Sequence, residues 1–413
     1  MTAMTPRIPS PPWIILAGLL ALMGAGAGAL WRGPRRAPGL QEICALARQR
    51  DLDQAEALLV RYLRTYPDDN LAHLLMAQLA MDRPDPRPER ALDHLGQIHS
   101  GTAKEAAIVC FSEGKAHYQE REYNLAESCW KRALELDPVV PEAGWALLDL
   151  LDFQARLEEA HALCMRLYAT EPDPRDRVRL LLEMSRLDID RVAPGSLVQV
   201  FEPAWRQDPG NLPLGVAVGL ALVHDSQAEK GIEVLRTVLQ RHPDSASAWD
   251  GWLTGLEDGY QPELLASEFS RLPQALRTDP RFAKHVGTVA QGAGDWPSAV
   301  AAYRRAYAFE PYNGVVLYRF RMALRLVGKT AEFHRIDELL TMYQNAFKQM
   351  RAVHGEALAV KTLGVAPHPE LYHRLATLRG QMGRFDEARA WHCLVLRDVP
   401  DDPLSLATLA RLK

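Results

Sequence analysis

The stretch REYNLAESCWKRALELDP, from Arg121 to Pro138, has the residue spacing of one amphipathic helix that ends at a proline. The small residue Ala126 stands twelve positions before Pro138, with Tyr123 three positions before it and Ala133 seven positions after it. Spacings of three and seven residues place side chains on one face of a helix. A proline cannot continue the helix, because it lacks an N–H group and its ring clashes with the preceding turn. The stretch therefore predicts a single helix with one buried stripe.

The same pattern recurs along the chain. Five further stretches keep the twelve-residue interval between a small residue and a proline: Ala55 and Pro67, Ala160 and Pro172, Gly231 and Pro243, Ala299 and Pro311, and Ala388 and Pro400. The stretch PERALDHLGQIHS supplies another copy, with Ala91 in the small position. Pro138 and Pro172 are 34 residues apart. Pro209 and Pro243 are also 34 residues apart.

An apolar segment precedes each of these helices. Four of the segments carry a small residue twelve positions before the small residue of the following helix: Gly114, Gly219, Gly287 and Ala376. Small residues at both positions allow two helices to approach closely. The repeating unit is therefore predicted to be a first helix, a short turn and a second helix.

This period and spacing resemble the tetratricopeptide repeat, a family of 34-residue helix–turn–helix units. The stretches SEGKAHYQEREYNLAESCWKRALELDP and RLATLRGQMGRFDEARAWHCLVLRDVP are similar to the family's pattern. The resemblance implies an all-α fold, a right-handed α-solenoid of stacked antiparallel helix pairs. Stacking buries an apolar stripe that no single pair can bury alone. The resemblance also implies that the first helices line a concave face that binds proteins.

The period fails between Pro311 and Ala388. The stretch TAEFHRIDELLTMYQNAFKQMRAVH contains no Gly or Pro, and its apolar residues recur every three or four positions. This pattern predicts a helix of about six turns or more. Two interpretations remain open: an elongated second helix packed within the solenoid, or a helix for docking or dimerisation.

The N-terminal region contains an uncharged apolar stretch, WIILAGLLALMGAGAGALW, from Trp13 to Trp31. A helix of this length spans about 28 Å, close to the thickness of a bilayer's hydrocarbon core. Tryptophan at both ends suits the two membrane interfaces. The stretch predicts one transmembrane helix, and a cleaved signal peptide is the alternative, because AGAGA resembles a cleavage site. Gly24 and Gly28 form a GxxxG pair that favours the packing of two such helices, so a homodimer is also expected.

The charges beside this stretch predict its orientation. Arg32, Arg35 and Arg36 follow it, and the positive-inside rule then leaves the repeats in the cytoplasm, at the inner membrane. A periplasmic body is the alternative. The predicted organisation is a tail over 1–12, a transmembrane anchor over 13–31, a basic linker over 32–38, tetratricopeptide repeats over 39–328, a long helix and linker over 329–365, and a C-terminal repeat with a capping helix over 366–413.

Composition and motifs exclude several classes of function. The chain has 48 Lys and Arg against 52 Asp and Glu, a net charge of −4 that argues against a nucleic-acid binder. The cysteines form no CxxC pair, so no metal or cofactor is expected. The stretch ALRLVGKT has a loose phosphate-loop pattern that ends in Lys329 and Thr330, but such a loop must follow a strand, and the preceding residues have a helical pattern. An enzyme is therefore not expected, and a nucleotide-binding enzyme subunit with its nucleotide at Lys329 is kept as the alternative.

The family's concave positions, transferred to this sequence, give candidate partner-binding residues. They are Lys115, Tyr118, Trp145, Asp149, Lys284, His285, Arg321 and Arg325. Aromatic and charged side chains in one groove suit a protein or peptide ligand. The sequence therefore predicts a bacterial-type, membrane-anchored scaffold that binds proteins. It resembles the single-anchor repeat proteins that regulate envelope biogenesis, which implies such a role, but it lacks the C-terminal CxxC pairs of that type. A periplasmic scaffold for secretion or cytochrome maturation is the alternative.

Overall fold

A computed structural model of the chain describes residues 39–138, 140–189, 194–362 and 369–411. These residues form 21 α-helices and one 3-10 turn, Pro280–Phe282, and they contain no β-strand. The predicted all-α class is therefore confirmed for the described part of the chain. The predicted transmembrane segment, 13–31, lies outside the described residues. Among the helices that are described, none is both long enough and apolar enough to cross a membrane.

The helices fall into two compact units, one ending at Leu163 and the other beginning at Cys164. The first unit contains α1 Gly39–Arg48, α2 Leu52–Thr65, α3 Asn70–Asp82, α4 Pro88–Leu95, α5 Ala103–Gln119, α6 Tyr123–Leu136 and α7 Pro141–Phe153. Helix α8, Leu157–Thr170, contains the boundary. The second unit continues with α9 Pro174–Ile189, α10 Pro194–Gln207, α11 Leu212–His224, α12 Ala228–Arg241, α13 Ala246–Asp258, α14 Pro262–Ser270, α15 Ala283–Gly292, α16 Trp296–Phe309, α17 Gly314–Val327, α18 Thr330–Thr362, α19 Pro369–Gln381, α20 Phe385–Asp398 and α21 Pro403–Arg411. Odd-numbered helices are the first helices of the pairs, and even-numbered helices are the second helices.

The second helices have a constant register. Helices α2, α6, α8, α12, α16 and α20 each contain 14 residues, and each begins three positions before its small residue. All six small residues are buried: Ala55, Ala126, Ala160, Gly231, Ala299 and Ala388. The register predicted from the spacing of small residues and prolines is therefore confirmed.

The glycines of the first helices make room for large side chains of the second helices. A Cβ atom on Gly114 would lie 2.4 Å from the indole nitrogen of Trp130. A Cβ atom on Gly287 would lie 2.4 Å from the ring of Tyr303. Real Cβ atoms do not approach other atoms this closely, so the rings occupy space that only glycine leaves open. The prediction that small residues allow close approach of the paired helices is confirmed at these positions.

The turns within the pairs share one backbone conformation. In eight of them the residue two positions before the second helix has a positive φ: Arg50, Arg121, Ala155, Ser226, Tyr260, Gly294, Gly328 and Gly383. At one such turn, the Arg121 N–H donates to the Tyr118 carbonyl at 3.0 Å and the Glu122 N–H donates to the His117 carbonyl at 2.9 Å. This pair of hydrogen bonds is the Schellman arrangement. Left-handed backbone costs a residue other than glycine about 1–2 kcal/mol, so packing of the helix pair imposes the turn where glycine is absent.

Helix α18 differs from the other second helices in length. It contains 33 residues and is therefore about 50 Å long. It packs against α17, α19 and α9. Its residues Ile336, Leu340 and Met350 are buried. The predicted long helix is confirmed, and its apolar stripe is largely occupied inside the second unit.

The second unit closes on itself through α9. The side chain of Arg379 on α19 is completely buried and forms an ion pair with Asp188 of α9 at 2.7 Å. Its Nε donates to Glu387 of α20 at 2.6 Å. The Tyr168 hydroxyl donates to the carbonyl of Ala390, 222 positions away, at 3.3 Å. In a simple solenoid each repeat contacts only its neighbours, whereas here the C-terminal helices return to the first helix pair of the unit.

Candidate functional site: a polar ladder along the first helices

Side chains on successive first helices of the second unit contact one another. His224 of α11 lies 2.9 Å from Asp258 of α13. Two helices later, Lys284 of α15 forms an ion pair with Asp250 of α13 at 2.8 Å. We call the whole set the first-helix ladder, and it consists of His224, Asp250, Glu257, Asp258, Lys284, His285, Thr288 and Arg319.

His285 is the centre of the ladder, and its side chain has no solvent exposure. Its Nδ1 lies 2.6 Å from Glu257 Oε1, and its Nε2 lies 2.8 Å from Asp250 Oδ1. An ionised carboxylate can only accept hydrogen bonds, so both ring nitrogens donate and the ring is an imidazolium. Burial acts to lower the pKa of His285, but the hydrogen bonds to Asp250 and Glu257 outweigh burial and raise the pKa above its ordinary value.

The two carboxylates remain ionised for the same reason. Burial acts to raise the pKa of Asp250, but the hydrogen bond from His285 and the charge of Lys284 bring it down to about 2. Burial also acts to raise the pKa of Glu257, and His285 and Arg319 outweigh it, so this pKa is lowered. Each buried charge therefore has a partner of opposite sign, which is the condition for tolerating charges in the interior.

The ladder extends from α13 and α15 to α17. Arg319 of α17 forms a close ion pair with Glu257 and donates a hydrogen bond to Thr288 Oγ1 of α15 at 2.6 Å. The hydroxyl of Tyr303 on α16 donates to Gln291 Oε1 of α15 at 2.9 Å. One polar network thus fixes α13, α15 and α17 relative to one another, and it does so on the side formed by the first helices.

The first unit shows the same kind of contact between its own first helices. Lys115 of α5 is half-buried beside Asp82, the last residue of α3; burial lowers the pKa of Lys115, and the charge of Asp82 offsets part of that effect. Tyr118 packs against the rings of Tyr123 and Trp130, with centroids 5.5 and 5.7 Å apart. Burial raises the pKa of Tyr118, and the charge of Asp149 on α7 acts in the same direction. These side chains mainly hold helices together.

Five of the eight candidate residues from the sequence, all on α5, α7 or α15, therefore take part in contacts between helices, and Arg321 of α17 does so as well. The five are Lys115, Tyr118, Asp149, Lys284 and His285. The ring of His285 has no solvent exposure, because two carboxylates and the neighbouring helices enclose it. Trp145 is half-buried on α7. A role in partner binding stays a prediction for all of them.

The two remaining candidates lie on α17. Arg321 forms an ion pair with Asp337 of α18 at 2.8 Å, and its guanidinium lies 5.4 Å from the ring centroid of Tyr318. Arg325 is exposed and forms no ion pair within the described part of the chain. Of the eight candidates, Arg325 is thus the charged residue that remains available to a partner.

Sequence reasoning missed Asp250, Glu257 and Arg319, although the repeat period contains a signal for the ladder. His224 and Asp258 are 34 residues apart, and so are Asp250 and Lys284. Residues one period apart occupy equivalent positions on successive first helices. Opposite charges at this interval therefore indicate bridges between neighbouring repeats.

The structure also shows the surroundings of Lys329, the predicted alternative site for a nucleotide, and the arrangement of side chains that can bind metal ions. The residues before Lys329 form helix α17, and Gly328 ends this helix in the left-handed conformation, with φ 75°. A phosphate-binding loop would instead follow a strand. Within the described ranges, no group of three or more His, Cys, Asp and Glu side chains could hold a metal ion.

Comparison with known proteins identifies the repeat at the start of the described chain. Residues 40–95 match the tetratricopeptide repeat family. These residues form α1 to α4, the first two helix pairs. No curated protein matches the chain.

Two solved structures are similar to the chain at low identity. A crystal structure of the APC/C hetero-tetramer Cut9–Hcn1 aligns with a TM-score of 0.36 and 15% identity, over 97% of this chain and 92% of that one. The human IFIT1 dimer with PPP-AAAA aligns with a TM-score of 0.35 and 13% identity, over 81% of this chain and 91% of that one.

Proposed function

We propose that the chain is a tetratricopeptide scaffold that holds a partner protein on the face formed by its first helices and performs no catalysis. Tetratricopeptide repeats are modules for protein–protein interaction, and residues 40–95 match that family. The observation that carries the proposal beyond those residues is the row of polar side chains on the first helices of the second unit. The first helices α11, α13 and α15 present polar side chains that meet at one-period intervals, in addition to the apolar side chains that they bury.

The first-helix ladder gives this face a fixed pattern of charge. Lys284 and Asp250 lie at the rim of the network, with 24% and 29% of their side chains exposed. The buried pairs formed by His285, Glu257 and Arg319 hold these rim groups in place. A preorganised surface loses little conformational entropy when a partner binds, and its charges select partners of complementary charge.

The proposal also includes a location, which is supported by the sequence alone. The apolar stretch 13–31 would tether the scaffold to the cytoplasmic membrane, with Arg32, Arg35 and Arg36 on the cytoplasmic side. The scaffold would then act in envelope biogenesis, as a single-pass protein that can pair through its anchor. A phosphatase that is active only in the periplasm, fused after Arg36, should be inactive. A fully active fusion would reverse the proposed orientation.

Site-specific photo-crosslinking in cells tests the binding face. Benzoylphenylalanine replaces Lys284 or Arg325 on first helices, and Arg132 or Glu233, which are exposed on second helices, serve as matched controls. We expect irradiation to link the same partner protein at first-helix positions and not at the controls. Adducts confined to the second helices, or no adduct at any position, would contradict the proposed function. Capture at Lys284 without capture at Arg325 would support the function and contradict the more specific inference below.

A further inference from the structure

Helix α17 carries an apolar stripe that no other described helix covers. Val315, Tyr318 and Leu326 are exposed to 60%, 50% and 56%, and Met322 between them is half-buried. Successive members of this stripe are three or four positions apart, so they lie on one face of the helix. The opposite face is buried through Leu317, Phe320 and Leu324, and the neighbouring residues Val316 and Ala323 are buried as well.

The length of α18 explains why this face is open. Earlier in the second unit, α11 contacts α13 and α13 contacts α15, so these first helices pack against the next first helix. Helix α19, the first helix after α17, packs against α18 and α20. Because α18 extends about 50 Å, it carries the chain away from α17 before α19 begins. The exposed stripe therefore results from the break in the period.

The segment that carries the stripe is rich in cations in a chain whose net charge is −4, and three of its arginines pair with carboxylates of other helices. The segment 296–329 contains six Arg and Lys residues and one carboxylate, Glu310. Two of the arginines on α17 have internal partners, since Arg319 binds Glu257 and Arg321 binds Asp337. Arg325 and Lys329 are exposed, and neither forms an ion pair within the described ranges.

The position of Arg325 places its charge within the stripe. It lies seven residues after Tyr318 and next to Leu326, so it projects from the same face of α17. Arg321 is held between Tyr318 and Asp337 at the edge that faces α18. The face thus combines aliphatic side chains, the ring of Tyr318 beside the guanidinium of Arg321, and the exposed guanidinium of Arg325.

We propose that this face, which we call the α17 face (Val315, Tyr318, Met322, Arg325 and Leu326), binds an acidic amphipathic segment of the partner protein. Apolar side chains of that segment, spaced as on one side of a helix, would cover Val315, Tyr318 and Leu326. A carboxylate beside them would pair with Arg325. The inference rests on the proposed scaffold function and names the chemistry of the partner.

The composition of the α17 face favours a peptide over other ligands with negative charge. Single-stranded nucleic acid is bound through several aromatic rings on which bases stack, and this face has one ring, Tyr318, among aliphatic side chains. An anionic membrane surface attracts clusters of cations from which apolar groups insert. Here Arg319 and Arg321, which would belong to such a cluster, are bound to Glu257 and Asp337.

Fluorescence anisotropy with the full-length protein and synthetic peptides tests the proposal. The probe is a labelled helical peptide of about 14 residues, with leucine at every third or fourth position and glutamate between them. A second peptide has lysine in place of every glutamate, and a third has the glutamate peptide's composition in scrambled order. We expect the glutamate peptide to bind about tenfold or more tightly than either of the others, and salt to weaken its binding.

Two substitutions and two matched controls locate the binding. Arg325→Glu should weaken the glutamate peptide about tenfold, and Tyr318→Ala should weaken it about fivefold or more, as expected for an anchor in an interface. Arg305→Glu, an exposed cation on α16, and Leu358→Ala, an exposed apolar residue on α18, should leave its affinity unchanged. Unchanged helicity and melting temperature show that each variant is folded.

Three results would overturn the proposal. The first is equal affinity for the glutamate and lysine peptides. The second is an effect of the two controls that matches the effect of Arg325→Glu and Tyr318→Ala. The third is displacement of the peptide by a single-stranded oligonucleotide or by phosphatidylserine vesicles that bind more tightly. Crosslinking at Lys284 would still report on the scaffold function in each of these cases.

Discussion

Replacement of His285 by glutamine would remove the central charge of the first-helix ladder while keeping a polar side chain of similar size. The imidazolium of His285 donates two charge-assisted hydrogen bonds, one to Glu257 at 2.6 Å and one to Asp250 at 2.8 Å. Each such bond contributes about 1.5–3 kcal/mol, and the uncharged glutamine amide can donate one hydrogen bond to one of the two carboxylates. Because Lys284 and Arg319 still compensate the two carboxylates, we expect a loss of about 2–4 kcal/mol rather than the full cost of an uncompensated buried charge.

The measurement is the melting temperature of the second unit, Cys164–Lys413. For a domain of this size, 1 kcal/mol corresponds to roughly 2–4 °C, so His285→Gln should lower the transition by roughly 4–16 °C. His224→Gln is the matched control within the same ladder. The side chain of His224 is 51% exposed, and an exposed ion pair contributes about 0–1 kcal/mol.

The dependence on pH follows from the direction of the pKa shifts. The pKa of His285 is raised in the folded protein, so its contribution is fully present below the unfolded value of about 6.5 and is lost as pH rises through the folded pKa. The pKa of Asp250 is lowered to about 2, so its contribution is present above about pH 4 and is lost as pH falls toward 2. The difference between the wild type and His285→Gln should therefore be greatest between about pH 4 and 6 and should shrink in alkaline solution. A loss no larger than that of His224→Gln, or a difference that grows with pH, would refute the imidazolium bridge.

Three other substitutions test the turns, the helix crossings and the loop near Lys329. A Cβ at Gly328, where φ is 75°, would meet no atom within 4 Å, so Gly328→Ala should destabilise the protein by about 1 kcal/mol through the backbone alone. A Cβ at Gly383 would lie 2.2 Å from the Tyr312 ring, so Gly383→Ala should destabilise it by about 1–3 kcal/mol more. Equal losses of stability for the two variants in urea unfolding would contradict this. Ala126 is completely buried at a helix crossing, so Ala126→Leu should destabilise the protein by about 1–3 kcal/mol, and an unchanged melting temperature would count against the assigned register. Calorimetry with ATP should detect no binding, because Lys329 follows a helix; tight binding that Lys329→Ala abolishes would instead support the nucleotide-binding alternative.

The local pattern of the sequence was sufficient to predict the helix pairs. The twelve-residue interval from Ala126 to Pro138, and its repetition, correctly gives the buried small residue of six second helices. This succeeds because helix periodicity, proline and small residues at crossings act over about one turn to a few turns of chain. The same pattern showed that the period fails after Pro311, where the 33-residue α18 lies.

The candidate residues were predicted with less success, since their spacing alone does not reveal what they contact. The family's first-helix positions include Lys284 and His285, whose role in partner binding stays a prediction, and they do not indicate the carboxylates Asp250 and Glu257 that these residues contact. A charge at such a position can face solvent or the next repeat, and the choice depends on residues about 34 positions away. The packing of the helices against one another determines that His285 is buried between Asp250 and Glu257 and that Arg325 is exposed.

The sequence by itself determined the helix pairs, their register and the interruption in the period, because these follow from interactions between residues close together in the chain. The tertiary structure alone decided that the second unit closes, with Arg379 buried against Asp188 and the Tyr168 hydroxyl on the carbonyl of Ala390. In stacked repeats the small rotation between each pair and the next accumulates over several pairs, and the long helix α18 also contacts α9. The contact between the last pair and α9 therefore depends on all the preceding pairs together, and no single stretch of sequence predicts it.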